Sequence, residues 1–330
     1  MTRSRISTPW WLAIACAVAA ACGGTEAPKT TPTEPTTATE PAPSEPAATT
    51  EPAAPAEPPA PSEPPAPPAP SYLHGKFVWF ELHTADPAKA IAFYNEVLGW
   101  KSAETDMGGT KLNFIQNGDK PIGIIMAADK AKKEPTHWVG YVSVADVDAA
   151  VERITASGGK IIVPGMDIPE VGRFAAATDP EGAYFSVFKG LKGDMPDGKP
   201  ATGEWAWHEL WSKKPEAAVA FYSTVAEVKS SEMPMGKKKY HMLMTGEIPR
   251  AGIDTLPKGQ KKALWVPYVM VDNTDDTVKK AKALKAKIIL KPTDIPDVGR
   301  IAVLVDPTGG TFGVVSAPAA PAEPAPPATK

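Results

Sequence analysis

The folded part of this chain is written twice. The stretch GKFVWFELHTADPAKAIAFYNEVLGWKSAE from Gly75 aligns without a gap on GEWAWHELWSKKPEAAVAFYSTVAEVKSSE from Gly203, sharing the Gly, Trp-x-Glu-Leu, a Pro and Ala-Phe-Tyr. Further on, DIPEVGRFAAATDPEG from Asp167 matches DIPDVGRIAVLVDPTG from Asp294. The offset is 128 residues at the start and 127 at the end, so two units of about 114 residues follow one another. The first is read as a domain over 73–189 and the second over 203–316. Residues 190–202, rich in Gly, Pro, Lys and Asp, read as the linker between them.

The flanks are of a different kind. Of 38 prolines, 16 lie between Pro28 and Pro70 and five between Pro318 and Pro327, which leaves an ordinary density for the core. From 25 to 71 no apolar residue is larger than alanine, so this stretch cannot bury enough surface to offset the entropy of ordering. Residues 22–72 are therefore expected to be a disordered, semi-stiff Pro/Ala/Glu-rich tether reaching on the order of 100 Å. Residues 317–330 are expected to be a disordered Pro/Ala tail. Ahead of the tether, Arg3 and Arg5 precede an apolar stretch over 10–21 that is too short for a stable membrane span and reads, with the rest of 1–21, as a signal peptide. Ala19-Ala20-Ala21-Cys22-Gly23 resembles a bacterial lipoprotein box, although Ala19 stands where such boxes usually carry Leu or Val. That resemblance implies an exported protein, lipidated on Cys22 and anchored in the cell envelope; Gly23 points by analogy to the periplasmic side of an outer membrane. An ordinary signal peptide cleaved nearby is the alternative.

Composition also excludes chemistries. Both cysteines, Cys16 and Cys22, precede the folded part, so no disulfide or thiolate zinc site can form there. The net charge is −3 and no Lys/Arg run marks a phosphate-binding stripe, which argues against a nucleic-acid partner. Neither a phosphate loop, a dinucleotide fingerprint nor a Ser/His/Asp order is present.

Within a unit, period and punctuation order the elements. Residues 77–83 alternate as a strand, with Phe80 and Leu82 on one face and Trp79, Glu81 and His83 on the other. Asp86-Pro87 starts a helix whose apolar stripe ends at Gly99. Strands are predicted over 111–117 and 122–127. The cycle then restarts with a strand over 138–144, a helix from Asp146 through Ile154 to Gly158-Gly159, and strands near 161–163, 172–177 and 184–188.

That βαβββ-type order, with Asp-Pro-x-Gly before the last strand, resembles the vicinal oxygen chelate superfamily, which includes glyoxalase I, bleomycin-resistance proteins and extradiol dioxygenases. The tandem Trp-x-Glu-Leu and DIP-x-VGR motifs resemble its two-domain bacterial members. The resemblance implies an α+β fold of two tandem domains, each made of paired βαβββ modules forming a curved mixed sheet. It also implies a metal held by inward-facing His or carboxylate donors. Carried onto this sequence, those positions fall on Trp79, Val139 and Ser186 in the first unit and on Trp207, Val266 and Gly313 in the second, with no donor around Gly123 or Gly252. No metal and no other cofactor is therefore expected, His137 being the single donor near a ligand position.

By strand alternation the concave face holds Trp79, Glu81, His83, Val139, Tyr141 and Ser143 in one unit, and Trp207, Glu209, Trp211, Val266, Tyr268 and Met270 in the other. Trp79, Glu81, His83, Tyr141, Trp207, Glu209, Trp211 and Tyr268 are the candidate ligand-binding residues, and Glu81, Tyr141, Glu209 and Tyr268 the candidate acid/base groups. The competing reading makes Glu81 and Glu209 buried acids satisfied by a tyrosine or by backbone amides, merely bracing the sheet. Arg173 and Arg300 either meet an anionic ligand or bridge within the fold. His83, His208 and His241 have no partner at catalytic spacing, and the Lys237–Lys239 run reads as solvated. The expected activity is metal-independent binding of a small apolar or aromatic molecule. The alternatives are an enzyme of the glyoxalase or dioxygenase kind and a non-catalytic envelope interaction protein.

Overall fold

The computed structural model describes residues 70–107, 110–236 and 238–318. The signal segment, Cys22, the tether up to residue 69 and residues 319–330 lie outside them. Among the described residues no helix is long and apolar enough to cross a membrane.

Unit 1 runs β1 (Phe77–Thr84), α1 (Pro87–Leu98), β2 (Lys101–Met107), β3 (Thr110–Asn117) and β4 (Lys120–Ala127), then β5 (His137–Ser143), α2 (Val147–Ala156), β6 (Lys160–Ile168), β7 (Gly172–Thr178) and β8 (Tyr184–Gly190). Unit 2 repeats this as β9 (Trp205–Ser212), α3 (Pro215–Ala226), β10 (Lys229–Met235), β11 (Lys238–Thr245), β12 (Ile248–Thr255), β13 (Leu264–Met270), α4 (Thr274–Ala283), β14 (Lys287–Ile295), β15 (Gly299–Val305) and β16 (Thr311–Ser316). Each unit is one eight-stranded sheet, in the order β2-β3-β4-β1-β5-β8-β7-β6 and its equivalent. The central pair β1 and β5 is antiparallel, and each runs parallel to the last strand of its own half, β4 and β8. The fold is thus α+β, two tandem domains of paired βαβββ modules.

Local chemistry explains the helix starts. The Asp86 carboxylate accepts the Lys89 N–H at 3.1 Å and Pro87 fills the first turn; Asp146 accepts from Ala149 N at 2.9 Å. Two strands depart from the sequence expectation. β2 is an edge strand whose mostly exposed residues carry no apolar alternation, so no period in the sequence marks it. β6 extends from Lys160 through Pro164 to Ile168, well past 161–163, since an edge strand tolerates a proline where the ladder register shifts.

The helix-bearing faces of the two units share their cores. One apolar cluster joins α2 and β8 of unit 1 to α3, β11 and Trp265 of unit 2, and the other joins α1 and β1 to α4, β15 and β16. Each half of one unit thus packs on the opposite half of the other. The remaining faces, around Trp79 and Tyr141 in unit 1 and around Val266 and Tyr268 in unit 2, form two separate cups.

Candidate functional site

In unit 1, β1 and β5 lay their alternating residues into the cup, with Trp79 opposite Tyr141, Glu81 opposite Val139, and Tyr141 opposite Ser186 of β8. Glu81 is 1% exposed, and its Oε2 accepts a 2.9 Å hydrogen bond from the Tyr141 hydroxyl. Burial first, then the adjacent Glu81 charge, raise the Tyr141 pKa well above its ordinary value, so the phenol keeps its proton and donates. Glu81 Oε1 and Trp79 Nε1 are buried and have no protein partner.

A second group stands at the end of β1. His83 is flanked by two carboxylates, with Nδ1 2.8 Å from Glu134 Oε1 and Nε2 3.5 Å from Glu81 Oε2. Burial alone would lower the His83 pKa, but the two carboxylates outweigh it and raise it to about 9. Burial would raise Glu134, and the bond to His83 instead brings it down to about 2. Burial, followed by the His83 charge, takes the neighbouring His137 down to about 4. The sequence reading that leaves His83 alone is therefore corrected. Its partner Glu134 lies 51 positions away in the loop 128–136, which has no periodicity to betray it.

Unit 2 carries the same acid in a different setting. Glu209 Oε2 accepts from the Tyr240 hydroxyl at 2.8 Å, and Oε1 accepts from Trp211 Nε1 at 2.8 Å and from Tyr268 at 3.2 Å. Trp207 Nε1 donates to the Tyr240 oxygen at 2.8 Å. Burial raises the Glu209 pKa, and the tyrosine and tryptophan donors counter it. Two small residues make room, since a Cβ at Gly252 would collide with the Tyr240 phenol and one at Gly313 with the Tyr268 ring. Tyr240 is a functional-looking residue that sequence alternation could have exposed, but it lay on a strand with no motif of its own. The bracing reading describes Glu209, whereas Glu81 keeps an unpaired oxygen.

The metal implied by the resemblance does not fit. Trp79, Ile124, Val139 and Ser186 line the unit 1 cup, and Trp207, Gly252, Val266 and Gly313 stand at the matching positions of unit 2; none is a usual metal donor.

The other candidates resolve into structure. Arg173 binds Asp148 at 2.8 Å and Asp167 at 3.0 Å, and Arg300 binds Asp275 and Asp294, so each staples a helix start to an edge strand. His208 has no partner on either ring nitrogen and stacks on Trp265 at 4.6 Å between the units. His241 lies 3.4 Å from Glu232, which also pairs with Lys239.

The linker is pinned rather than loose. Asp194 accepts from Leu73 N and the Ser143 hydroxyl, both at 2.6 Å, and Asp197 receives Arg250 at 2.8 Å and Lys76 at 3.1 Å. It closes one wall of a cleft of about 760 Å³ lined by both Trp79 and Trp207.

The sequence model of the Glyoxalase/Bleomycin resistance protein/Dioxygenase superfamily matches residues 76–187. CFP32 of Mycobacterium tuberculosis (strain CDC 1551 / Oshkosh), a candidate glyoxylase by its name, is 33% identical over 249 residues, covering 74% of this chain and 95% of its own. DnrV of Streptomyces peucetius, an anthracycline biosynthesis protein, is 28% identical over 259 residues, covering 73% of this chain and 93% of its own. The Mn(II)-bound glyoxalase from Novosphingobium aromaticivorans superposes with a TM-score of 0.51 at 18% identity, covering 74% of this chain and 82% of that one, a likeness of fold. With a paired βαβββ sheet in each unit and a relative that matches across both, the chain belongs to the Glyoxalase/Bleomycin resistance protein/Dioxygenase superfamily.

Proposed function

We propose that this protein is an envelope-tethered binder of a small molecule, taken by the cup of unit 1, with unit 2 serving as its structural partner. The observation that carries this reading is the pair of buried, unpartnered polar atoms Glu81 Oε1 and Trp79 Nε1. A buried carboxylate oxygen calls for a donor and a buried indole N–H for an acceptor, and leaving either unmet costs about 1–3 kcal/mol. A hydroxyl or hydroxy-carbonyl head on an apolar or aromatic body supplies both while its body packs on the Trp79 ring. The floor needs no metal at the superfamily's usual position for this. Trp79 also lines the cleft beneath the linker, which offers a way in. The tether reading adds a lipid anchor at Cys22 and no nucleic-acid partner.

The test is titration of small phenols and hydroxy-ketones against tryptophan fluorescence, in wild type and in Trp79→Ala, Glu81→Gln and Trp207→Ala, each checked for folding by circular dichroism. Trp79→Ala should weaken binding by about 1–3 kcal/mol, roughly 5- to 150-fold in Kd. Trp207→Ala should leave it unchanged, and equal loss in both would place the site in the cleft. A second reading, a lyase-type enzyme, is favoured by the Tyr141–Glu81 pair, an acid and a phenol within 2.9 Å that could relay a proton. Turnover of methylglyoxal with a thiol, lost in Glu81→Gln, would select it.

A further inference from the structure

Three side chains, one at the end of β1, one in the loop 128–136 and one at the start of β5, meet beside Glu81 at the edge of the cup. One Nδ1 or Nε2 atom each of His83 and His137 and one carboxylate oxygen of Glu134 all lie within 4.8 Å of one another. Each is held from behind. Glu134 Oε2 accepts the Asp129 N–H at 2.7 Å, which aims Oε1 at both histidines. His137 Nδ1 donates to the Pro135 carbonyl at 2.7 Å, which leaves the lone pair on Nε2. That Nε2 is buried without a hydrogen-bond partner and faces Glu134 Oε1 at 3.7 Å, acceptor against acceptor. His83 turns Nε2 toward Glu81 Oε2 at 3.5 Å and Nδ1 toward Glu134 Oε1 at 2.8 Å.

His137 Nε2 and Glu134 Oε1 are two acceptors that face each other with no donor between them, which is what a cation organises, and an ion bound there would displace the proton that His83 Nδ1 shares with Glu134. A tetrahedral ion with bonds of about 2.0–2.1 Å sets its ligands about 3.3–3.4 Å apart. The Glu134 to His83 and Glu134 to His137 separations, 2.8 and 3.7 Å, bracket that value, and the two histidine nitrogens lie within 4.8 Å of each other, so side-chain adjustment has to draw the three donors onto one ion. The surrounding bonds match the outer shell that metal-binding histidines usually have, a carbonyl behind one ring and a carboxylate behind the other.

We propose that His83, Glu134 and His137 bind one zinc-class divalent ion through His83 Nδ1, a Glu134 oxygen and His137 Nε2, with Glu81 orienting His83 from behind. Two imidazoles and a carboxylate suit zinc and its first-row neighbours, and three protein ligands leave an open position. The site is not the superfamily's usual one, whose positions here are Trp79, Ile124, Val139 and Ser186. It is confined to unit 1, because β9 and β13 place Trp211 and Leu264 where β1 and β5 place His83 and His137. Among the described residues this is one site, which sets the expected stoichiometry at one ion per chain.

The experiment uses the full-length chain, stripped with chelator and titrated with Co²⁺, reading visible d–d absorption and then displacement by Zn²⁺. One Co²⁺ per chain is expected, with the bands and at least 100-fold in affinity lost in His137→Leu. Leucine is the residue unit 2 carries at this position, so the fold should tolerate it; were it to unfold, Glu134→Gln in the loop is the replacement. Glu81→Gln should weaken binding by about 10- to 100-fold with the bands retained, as expected of a residue that positions a ligand. Absence of saturable binding, or binding unchanged in His137→Leu or Glu134→Gln, would overturn the proposal and leave His83 bridging two carboxylates by its protons alone. The readout needs no organic ligand, so it stands or falls separately from small-molecule binding by the cup.

Discussion

The phenol of Tyr94 donates a 2.8 Å hydrogen bond to Oδ2 of Asp306, 212 positions away in the other unit. Tyr222 does the same to Asp179 at 3.1 Å. The Oδ1 atoms of both aspartates hold their own turns, Asp179 through Glu181 N and Ala183 N and Asp306 through Thr308 N and Gly310 N. The Ala-Phe-Tyr and Asp-Pro motifs that announce the repeat are thus a reciprocal brace between units. Burial, and then the aspartate charge, raise both tyrosine pKa values well above the ordinary range, so the phenols remain donors.

Removing one hydroxyl tests the brace. Tyr94→Phe leaves a buried carboxylate oxygen and the Trp138 indole N–H, 3.2 Å from the phenol oxygen, without their partner. The expected loss is about 1–3 kcal/mol, read as a lower urea midpoint, and Tyr222→Phe should behave alike. A change below about 0.5 kcal/mol would mean that water fills the gap.

His208 makes stability fall with acid. Burial holds its folded-state pKa well below the ordinary value, so the native protein does not take up the proton that the unfolded chain binds below about pH 6.5. Stability is therefore full above that pH and declines below it, by up to about 1.4 kcal/mol per pH unit from this residue. His208→Leu should flatten the difference between urea midpoints at pH 7.5 and 5.5, other titrating groups being common to both proteins. An equal slope in the variant would assign the loss to another group.

The filled cup of unit 2 depends on Gly252 beneath Tyr240. Gly252→Ala should destabilise by about 1–3 kcal/mol through overpacking. Tyr240→Leu, which installs the residue that unit 1 carries at Leu112, should relieve most of that penalty in the double variant. Strict additivity would show that the two positions do not compete for the same space.

Attachment is the remaining expectation, resting on the lipoprotein-like box ahead of the described residues. Cys22→Ser should move the protein from the membrane fraction to the soluble fraction. Retention of the variant in the membrane would remove the lipid anchor from the account.

Much of the scaffold is legible in the sequence because its signals are local. The alternation of Trp79, Phe80, Glu81 and Leu82 assigns each side chain to a face, and Asp86-Pro87 and Asp146 mark helix starts through bonds spanning three residues. The repeat assigns the same fold to both units, and alternation alone brings Glu81 and Tyr141 to one face. What the sequence could not state is which neighbours these residues meet. The Glu134 carboxylate reaches His83 through a loop, Tyr94 reaches Asp306 across the units, and Glu209 is closed off by Tyr240 while Glu81 keeps an open oxygen. These contacts depend on how distant segments close over each other, a matter of side-chain volume and burial in three dimensions, and neither period nor spacing records it.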